Sequence, residues 1–320
     1  MMFVSPNDAD FSLWNGPRSG AAGVREIFGI ANAYDGKGDL AGYVASLPLS
    51  KNLFLDFDVN SSWEDLKVRA RAKPLAELIQ RLRLKKRPEE ISLMRKAAQI
   101  AADSVADTVR FSRQKGIECE SHLAANMEYQ SKLRGAQRLS YVPVVAGGDR
   151  GLVIHYVHNN QRFDSAKDLM LMDAGCMYFG YCSDITRTWP LSGRFSAPQR
   201  QLYDAVLRVQ QGCLAALQKI PSITFNQLND LGTYLTAMEL DRLKFKNVER
   251  IVNSVYPHSI GHHLGLDLHD CPTHRGSAPL EAGNVITFEP GLYIPYDDAY
   301  PKEFQGLAVR IEDDVLIKGN

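Results

Sequence analysis

Apolar residues recur at helical spacing through the middle of the chain. Residues 75–82 (LAELIQRL) place their apolar side chains on one stripe, and this helical pattern extends over residues 63–84. A second, longer stripe follows Pro88, Glu89 and Glu90, and a proline with acidic residues behind it is typical of a helix start. Further helices are predicted over about residues 117–134, from Ser196 onward, and over about residues 224–244.

Short apolar runs between turn-forming residues indicate strands elsewhere. In residues 1–60, runs such as NLFLDFDV are broken by Gly, Pro, Asn and Asp, which is typical of a small α/β unit. YVPVVAGG and LMLMD have the character of buried strands, and the last 65 residues return to strands and loops. We place a domain boundary near Lys85–Arg87, which gives domains over residues 1–84 and 85–320.

The composition excludes several functional classes. The chain has 320 residues, of which 45% are hydrophobic, so it can bury a sizeable core. Lys plus Arg equals 37 and Asp plus Glu equals 37, and without a basic excess neither a nucleic acid nor a membrane surface is expected as a partner. No apolar run reaches eighteen residues, so no transmembrane helix is expected.

The N-terminus and the cysteines indicate a reducing compartment. Asp8 and Asp10 lie where a targeting peptide would be basic, so we expect no transit peptide in this chain. The five cysteines are an odd number without CxxC spacing, which favours free thiols over a disulfide framework. The cytosol or an organelle matrix fits this pattern.

Two aspartates, Asp173 and Asp184, lie eleven positions apart in the apolar stretch LMDAGCMYFGYCSDITRTWP. We expect LMLMD to be a strand ending at Asp173 and YCSDITRTW to be a strand containing Asp184. With the turn centred on Tyr178 and Phe179, the two carboxylates would face each other across an antiparallel pair, about 4.5–5.5 Å apart at Cβ. Such a pair is destabilising unless a cation lies between the charges; the alternative is that one aspartate caps a turn and faces water.

More residues of metal-ligand type follow in other segments. PHSIGHHLGLDLHD is Gly-rich and poorly helical, NVITFEPGLYIP carries a glutamate at the end of an apolar strand, and GLAVRIEDDVLI carries charges inside another. The residues of interest in these segments are His258, His262, His269, Glu289, Arg310 and Glu312.

Burial of four carboxylates beside a neutral imidazole requires positive charge. Two divalent cations would balance the four negative charges, and oxygen-rich ligands with one imidazole suit Mn²⁺ best, with Co²⁺, Fe²⁺ or Zn²⁺ as alternatives. A two-metal site about 3.5–4 Å across can generate a hydroxide at neutral pH and polarise a carbonyl. The sequence contains no HExxH, GxSxG, GxxxxGK[ST] or GxGxxG pattern, which excludes single-zinc proteases, serine hydrolases, P-loop enzymes and Rossmann dehydrogenases.

The ordered set Asp, Asp, His, Glu, Glu resembles the dinuclear M24 metallopeptidases of the pita-bread fold, above all aminopeptidase P (X-Pro aminopeptidase) and its mitochondrial branch. The matching stretches are MDAG, SDITRTWP, HSIGHHLGLDLHD, ITFEPGLYIP and VRIEDD, and the resemblance extends from about Lys85 to Asn320. It implies an α/β (α+β) fold: a pita-bread catalytic domain of two α/β halves over 85–320, preceded by a partial aminopeptidase P N-terminal domain over 1–84. Relative to that family, we expect the C-terminal end to be truncated.

The resemblance also implies a set of metal ligands. Asp173 would bind the first metal ion, Asp184 and Glu312 would bridge both ions, and His262 and Glu289 would complete the second site. The implied cofactors are two divalent metal ions, most simply Mn²⁺.

Further residues match the family's substrate site. His155 in GLVIHY, His258 and His269 correspond to its substrate-site histidines, and Arg310 corresponds to a residue beside the pocket for the proline ring. Glu289 would accept and donate a proton, while His258 or His269 would stabilise the tetrahedral oxyanion. The implied reaction is hydrolysis of the N-terminal residue of peptides or proteins, preferentially before proline, by a metal-bound hydroxide.

Several alternatives remain open. An intermediate-cleaving peptidase of mitochondria, which trims one residue from imported proteins, is the nearest; prolidase and methionine aminopeptidase are further away. A non-catalytic pita-bread binding protein is the alternative from another class, although such proteins usually lose metal ligands. The resemblance favours a mitochondrial location, with the cytoplasm as the alternative. It implies peptide or protein N-termini as partners and is compatible with a homodimer.

Overall fold

The computed structural model describes residues 2–6, 8–36, 53–55, 72–220, 222–274 and 276–319, and the chain divides into two compact units, Met1–Leu78 and Ile79–Asn320. The described helices are α1 (Ala9–Asn15), α2 (Gly20–Phe28), α3 (Ala76–Leu84), α4 (Pro88–Phe111), α5 (Glu120–Leu133), α6 (Ala197–Lys219), α7 (Phe225–Arg242) and α8 (Val248–Val255). The described strands are β1 (Met2–Val4), β2 (Ala33–Asp35), β3 (Leu53–Leu55), β4 (Ala72–Pro74), β5 (Arg138–Leu139), β6 (Val144–Gly147), β7 (Leu169–Asp173), β8 (Cys176–Tyr178), β9 (Tyr181–Cys182), β10 (Thr186–Pro190), β11 (Val285–Phe288), β12 (Gly291–Tyr293), β13 (Ala308–Arg310) and β14 (Asp313–Leu316).

The first unit contains short parallel strand pairs. β1 pairs with β2, and Ala21 and Val24 of α2 pack against Ala33 of β2. β3 pairs with β4 in the same parallel sense. This unit is therefore of the α/β type, as the short apolar runs of the sequence indicated.

In the second unit, α4 and α5 cover antiparallel strands. The strand orders are β10-β7-β6 and β5-β8-β9. Ile100 of α4 and Leu123 and Met127 of α5 share a core with Met170 and Met172 of β7. This core lies directly behind the strand that ends at Asp173.

The later part of the second unit repeats the scheme of long helices over antiparallel strands. β11 pairs with β14 and β12 pairs with β13. Leu202 of α6 shares a core with Leu292 and Val309, while Leu228 of α7 packs with Ile286 and other apolar residues. α6 begins with a capping box in which Ser196 and Gln199 satisfy each other's backbone N–H groups.

Most of the predicted helices are confirmed, and the differences have local causes. The predicted helical segment 63–84 is wrong at residues 72–74, which form β4, because parallel pairing with β3 outweighs the apolar periodicity; residues 63–71 lie outside the described residues. Of NLFLDFDV, the described part is β3. The short helix α8 was not predicted. The domain division at 84/85 stays a prediction.

Among the described residues, the cysteines form no disulfide and the helices include no candidate membrane span. All five cysteines have free thiols, and burial raises the pKa of Cys176 to about 11 and that of Cys213 to about 12, so these two are inert core residues. Across the described ranges, we find no helix with the length and apolar character needed to traverse a bilayer.

Candidate active site

A cleft of about 630 Å³ in the second unit brings together side chains from distant parts of the sequence. All five predicted metal ligands line it: Asp173, Asp184, His262, Glu289 and Glu312. Three of the predicted substrate-site residues line it as well: His155, His258 and His269. The one predicted site residue outside its lining is Arg310, which is 1% exposed and lies directly behind Asp173.

The two aspartates lie near the base of a hairpin. The strand ending at Asp173 is confirmed, whereas the turn lies one residue later than expected, at Phe179 and Gly180, since β8 and β9 pair Tyr178 with Tyr181. The expected strand through Asp184 is wrong: β9 ends at Cys182, β10 begins at Thr186, and it is Thr186 that lies opposite Asp173.

The β7–β10 ladder is interrupted before Asp184 because the backbone at Gly175 passes close to the backbone at Ser183. A Cβ atom at Gly175 would lie 1.7 Å from the carbonyl oxygen of Ser183, so only glycine allows this crossing. The chain leaves the β7–β10 ladder here, and Asp184 turns towards the cleft from the short connection between two strands. Both aspartates then meet at one point, where the Tyr141 hydroxyl contacts the carboxylates of Asp173 and Asp184.

β11 positions the histidine and the first glutamate. The Thr287 N–H donates to the His262 carbonyl at 2.8 Å, and the Glu289 N–H donates to the Ile260 carbonyl at 2.8 Å. A Cβ atom at Gly261 would lie 1.9 Å from the Thr287 carbonyl oxygen, so glycine permits this pairing. Glu289 directly follows β11, close to its predicted place at the strand end.

The second glutamate lies where the chain changes strand partner. The expected continuous strand through Arg310 and Glu312 is wrong, because β13 ends at Arg310 and β14 begins at Asp313. The Glu312 N–H instead donates to the Thr186 carbonyl at 3.1 Å, and the Thr186 hydroxyl donates to Glu312 Oε2 at 2.7 Å. This break points the Glu312 side chain into the cleft beside Asp184.

The ligand atoms of these residues lie close enough to share an ion. In Asp184, His262 and Glu312, one ligand atom from each residue lies within 4.8 Å of the others. His262 Nε2 lies 3.3 Å from Asp184 Oδ2 and 3.9 Å from Glu289 Oε1. Carboxylate oxygens with one imidazole form a donor set that suits divalent transition metals.

Charges in the cleft are unbalanced. Burial raises the pKa of Glu289 to about 7 and lifts that of Glu312 well above its usual range, with repulsion from Asp184 adding to both. Burial also raises the pKa of Asp173, although Arg310 opposes it. Burial alone would lower the pKa of His262, but the neighbouring carboxylates of Asp184 and Glu289 raise it. A site that holds so much negative charge fits divalent cations.

Arg310 is held by protein groups on three sides. Its Nη2 donates to Asp173 Oδ2 at 2.6 Å, its Nη1 to the Tyr293 hydroxyl at 2.7 Å, and its Nε to the Thr186 hydroxyl at 3.1 Å. This geometry favours a role in orienting Asp173. Contact of Arg310 with a proline ring stays a prediction.

The three histidines of the cleft differ in their surroundings. His258 Nδ1 lies 2.9 Å from the Ser259 carbonyl and Nε2 lies 2.9 Å from the Tyr293 hydroxyl, and burial lowers the pKa of its ring to about 4. The carbonyl can only accept, so Nδ1 carries the proton and Nε2 accepts from Tyr293. His269 lies edge-on to His262 with ring centroids 4.4 Å apart, whereas His155 is exposed at the rim.

A model of metallopeptidase family M24 matches residues 92–319. The chain belongs to this family. It is 38% identical to the human Xaa-Pro aminopeptidase 3, over 99% of this chain and 65% of that protein, and 44% identical to the Arabidopsis thaliana protein "Intermediate cleaving peptidase 55, mitochondrial", over 77% of this chain and 49% of that one. The chain thus spans less than two thirds of the length of these relatives.

The likeness of this M24 chain extends to solved structures. A crystal structure of Icp55 from Saccharomyces cerevisiae superposes with a TM-score of 0.87 at 36% identity, over 99% of this chain and 75% of that one. The predicted pita-bread fold and the M24 resemblance are thereby confirmed.

Residues that the sequence reasoning missed complete the M24 site. Tyr141, Thr186 and Tyr293 each donate or accept hydrogen bonds with predicted site residues. Burial and the charge of Asp173 raise the pKa of Tyr141 well above its usual range, so the phenol keeps its proton. Tyr293 belongs to the stretch ITFEPGLYIP, which carries the resemblance, whereas Tyr141 precedes an ordinary apolar strand and has no sequence signal of its own.

Proposed function

We propose that the chain hydrolyses the first peptide bond of peptides or proteins, preferentially before proline, with two divalent metal ions as cofactors. The observation that carries this proposal is the convergence of four carboxylates and one imidazole on a single cleft, with Asp184 and Glu312 buried, in a member of a metallopeptidase family. Retention of all five ligand residues argues against a non-catalytic binding protein.

The proposed ligands are Asp173, Asp184, His262, Glu289 and Glu312. Because most of the donor atoms are carboxylate oxygens, Mn²⁺ suits the set best. Bound divalent ions would supply an activated water and polarise the carbonyl of the scissile bond.

Proton transfer falls to Glu289 in this proposal. Its side chain is 19% exposed, compared with 7% for Asp184 and 13% for Asp173, so it is the most accessible of these carboxylates. From this position Glu289 accepts a proton from the attacking water and returns it to the leaving nitrogen.

Stabilisation of the carbonyl oxygen is proposed for His269. His269 lines the cleft with its ring centroid 4.4 Å from that of His262, whereas His258 contacts the Tyr293 hydroxyl and is proposed to orient it. His155 at the rim positions the substrate.

The carboxylates of the cleft also set where the chain is cut. A free N-terminal ammonium can pair with an acidic metal ligand, which fixes the register of the substrate and confines hydrolysis to the first bond. An X-Pro bond has no N–H, so a site that holds the ring by shape does not depend on that donor.

A mitochondrial intermediate-cleaving peptidase is the second candidate. The 44% identity to the Arabidopsis protein of that name favours it, and mitochondria are the proposed compartment on the same grounds. This activity would remove one residue without requiring proline at the second position.

A peptide panel tests these proposals. We expect Mn²⁺-dependent release of only the first residue from X-Pro-Y, about two metal equivalents in the purified protein, and at least about a tenfold loss of rate when the N-terminal amine is acetylated. Equal cleavage of X-Y-Z peptides with bulky X would favour the intermediate-cleaving activity. Internal cleavage of acetylated peptides would contradict both aminopeptidase proposals, and sedimentation analysis would test for a homodimer.

A further inference from the structure

The segment that carries His155 lacks a strand partner of its own. Residues 153–160 follow the short 3₁₀ helix Gly148–Leu152 and contain neither helix nor strand. His155 and Val157 face outward at the cleft, whereas Tyr156 and Asn159 are 7% and 8% exposed and point inward. Such a segment depends on side-chain anchors for its position.

Glu120 provides the main anchor. This residue begins α5, is 0% exposed and accepts four hydrogen bonds. Oε1 accepts from the Gly147 N–H at 2.9 Å and from Arg150 Nε at 2.6 Å, and Oε2 accepts from the Tyr156 hydroxyl at 2.9 Å and from the Gln161 N–H at 3.0 Å. One buried carboxylate therefore joins the strand before the segment, the residue after His155 and the end of the segment.

Asn159 supplies a second attachment. Its Oδ1 accepts from the Val145 N–H at 2.8 Å and its Nδ2 donates to the Pro143 carbonyl at 2.7 Å. Val145 belongs to β6, whose neighbouring residue Val144 pairs with Asp173. The segment is thus attached to the strand that borders the proposed metal ligands.

We propose that Glu120 is a positioning residue that holds His155 at the rim of the cleft. This inference rests on the proposed function, because His155 matters only if a substrate enters the cleft. A carboxylate satisfies all four donors at once: a glutamine has one acceptor oxygen, and its NH₂ group in the place of Oε2 could donate to the Tyr156 hydroxyl but would face the Gln161 N–H, which can only donate. Glu120→Gln keeps the shape of the side chain and removes half of its accepting capacity.

The first readout is independent of catalysis. In hydrogen–deuterium exchange of the full chain with MnCl₂ present, Glu120→Gln should speed exchange over residues 153–161 at least about tenfold. The matched control is Glu239→Gln in α7: Glu239 is 5% exposed and pairs with Arg208 and Arg242, away from the cleft. Unchanged exchange over 153–161 in Glu120→Gln, or an equal increase in Glu239→Gln, would overturn the proposal.

The second readout is a double-mutant cycle on X-Pro-Y peptides. Glu120→Gln should lower kcat/KM about tenfold, mainly through KM, and should cause no further loss in a His155→Ala background. An equal loss in both backgrounds would mean that Glu120 acts on global structure alone, and would overturn the proposal.

A milder variant keeps the test decisive if Glu120→Gln does not fold. Tyr156→Phe removes one of the four donors and preserves the ring, and the same two readouts apply with smaller shifts expected. If the wild-type protein cleaves no peptide, the proposed function fails, and the exchange experiment still decides whether Glu120 holds the segment.

Discussion

Buried and half-buried carboxylates occur in two kinds of surroundings in residues 79–320. Asp270, 1% exposed, lies 3.0 Å from Lys86 Nζ and 2.5 Å from Arg83 Nη2, and Glu120 accepts four hydrogen bonds. We call these two the matched carboxylates. The cleft carboxylates (Asp173, Asp184, Glu289 and Glu312) instead lie close together, and Arg310 approaches them from behind Asp173.

The difference separates carboxylates that are satisfied within the chain from carboxylates that we propose as metal ligands. A buried charge is tolerated when partners of opposite charge or hydrogen-bond donors satisfy it. The matched carboxylates have these partners within the chain. Burial raises the pKa values of Asp173, Glu289 and Glu312, with repulsion between neighbouring carboxylates adding to it, and bound divalent ions would stabilise the charged forms.

The largest expected effect is a loss of activity when a cleft carboxylate is replaced. Asp184→Asn should lower kcat/KM for X-Pro-Y about a thousandfold or more and reduce the metal content, because Asp184 is one of the proposed ligands of the divalent ions. Without metal, the variant should be at least as stable as the wild type, since one repelling charge is gone. His155→Ala is the control: it should keep its full metal content and lose only about tenfold in activity. Equal activity and full metal content in both variants would contradict the assignment.

Replacement of a matched carboxylate should lower the stability of the fold. Asp270→Asn should lower the free energy of unfolding by about 3–5 kcal/mol, because it leaves the Lys86 ammonium buried without its charge partner. The control is Asp267→Asn: Asp267 also pairs with Arg83, but its side chain is 67% exposed, so we expect a change of only about 0–1 kcal/mol. Denaturant unfolding measures both, and similar shifts in the two variants would contradict the classification of Asp270 as a matched carboxylate that stabilises the fold.

The smallest of these effects appears in the pH dependence of the metal-free protein. Burial raises the pKa of Glu289 from 4.5 to about 7, so the folded state binds more protons than the unfolded state between these pH values. Stability attributable to Glu289 is therefore present below pH 4.5 and is lost as the pH rises towards 7. Glu289→Gln lacks this loss, and its stability relative to wild type should rise by about 3 kcal/mol across that range. A difference that stays constant with pH would show that Glu289 is not destabilised by its surroundings.

The chemistry of the cleft could be predicted from sequence because its ligands lie in distinctive local stretches. The sequence around Asp173, Asp184, His262, Glu289 and Glu312 carries the family resemblance, and all five line one cleft. The pairing of the strands around these ligands could not be predicted in the same way. Asp184 and Glu312 both lie just outside strands, where the chain changes partners, and apolar alternation does not mark such breaks.

The supporting residues were missed for a related reason. Glu120 lies at a helix N-terminus, where an acidic residue is ordinary, and nothing near it in sequence shows that it meets Tyr156 and Gln161. Tyr141 reaches Asp173 across 32 positions of sequence. The helix α8 follows Asn247, whose φ of 52° ends the preceding loop in a left-handed conformation. Each of these features depends on contacts that form only when the whole domain folds.

Because Gly175 closely approaches Ser183, the hairpin between the two aspartates can change length without moving either carboxylate. The crossing closes the hairpin at its base, where the Ser183 N–H donates to the Cys176 carbonyl at 3.0 Å, while its tip at Phe179 is 65% exposed. Pairs of residues inserted at the tip would lengthen β8 and β9 outward and leave both carboxylates in place. The spacing of eleven is thus a property of this chain rather than a requirement of the chemistry, and a search for proteins with the same site should let that interval vary by even numbers.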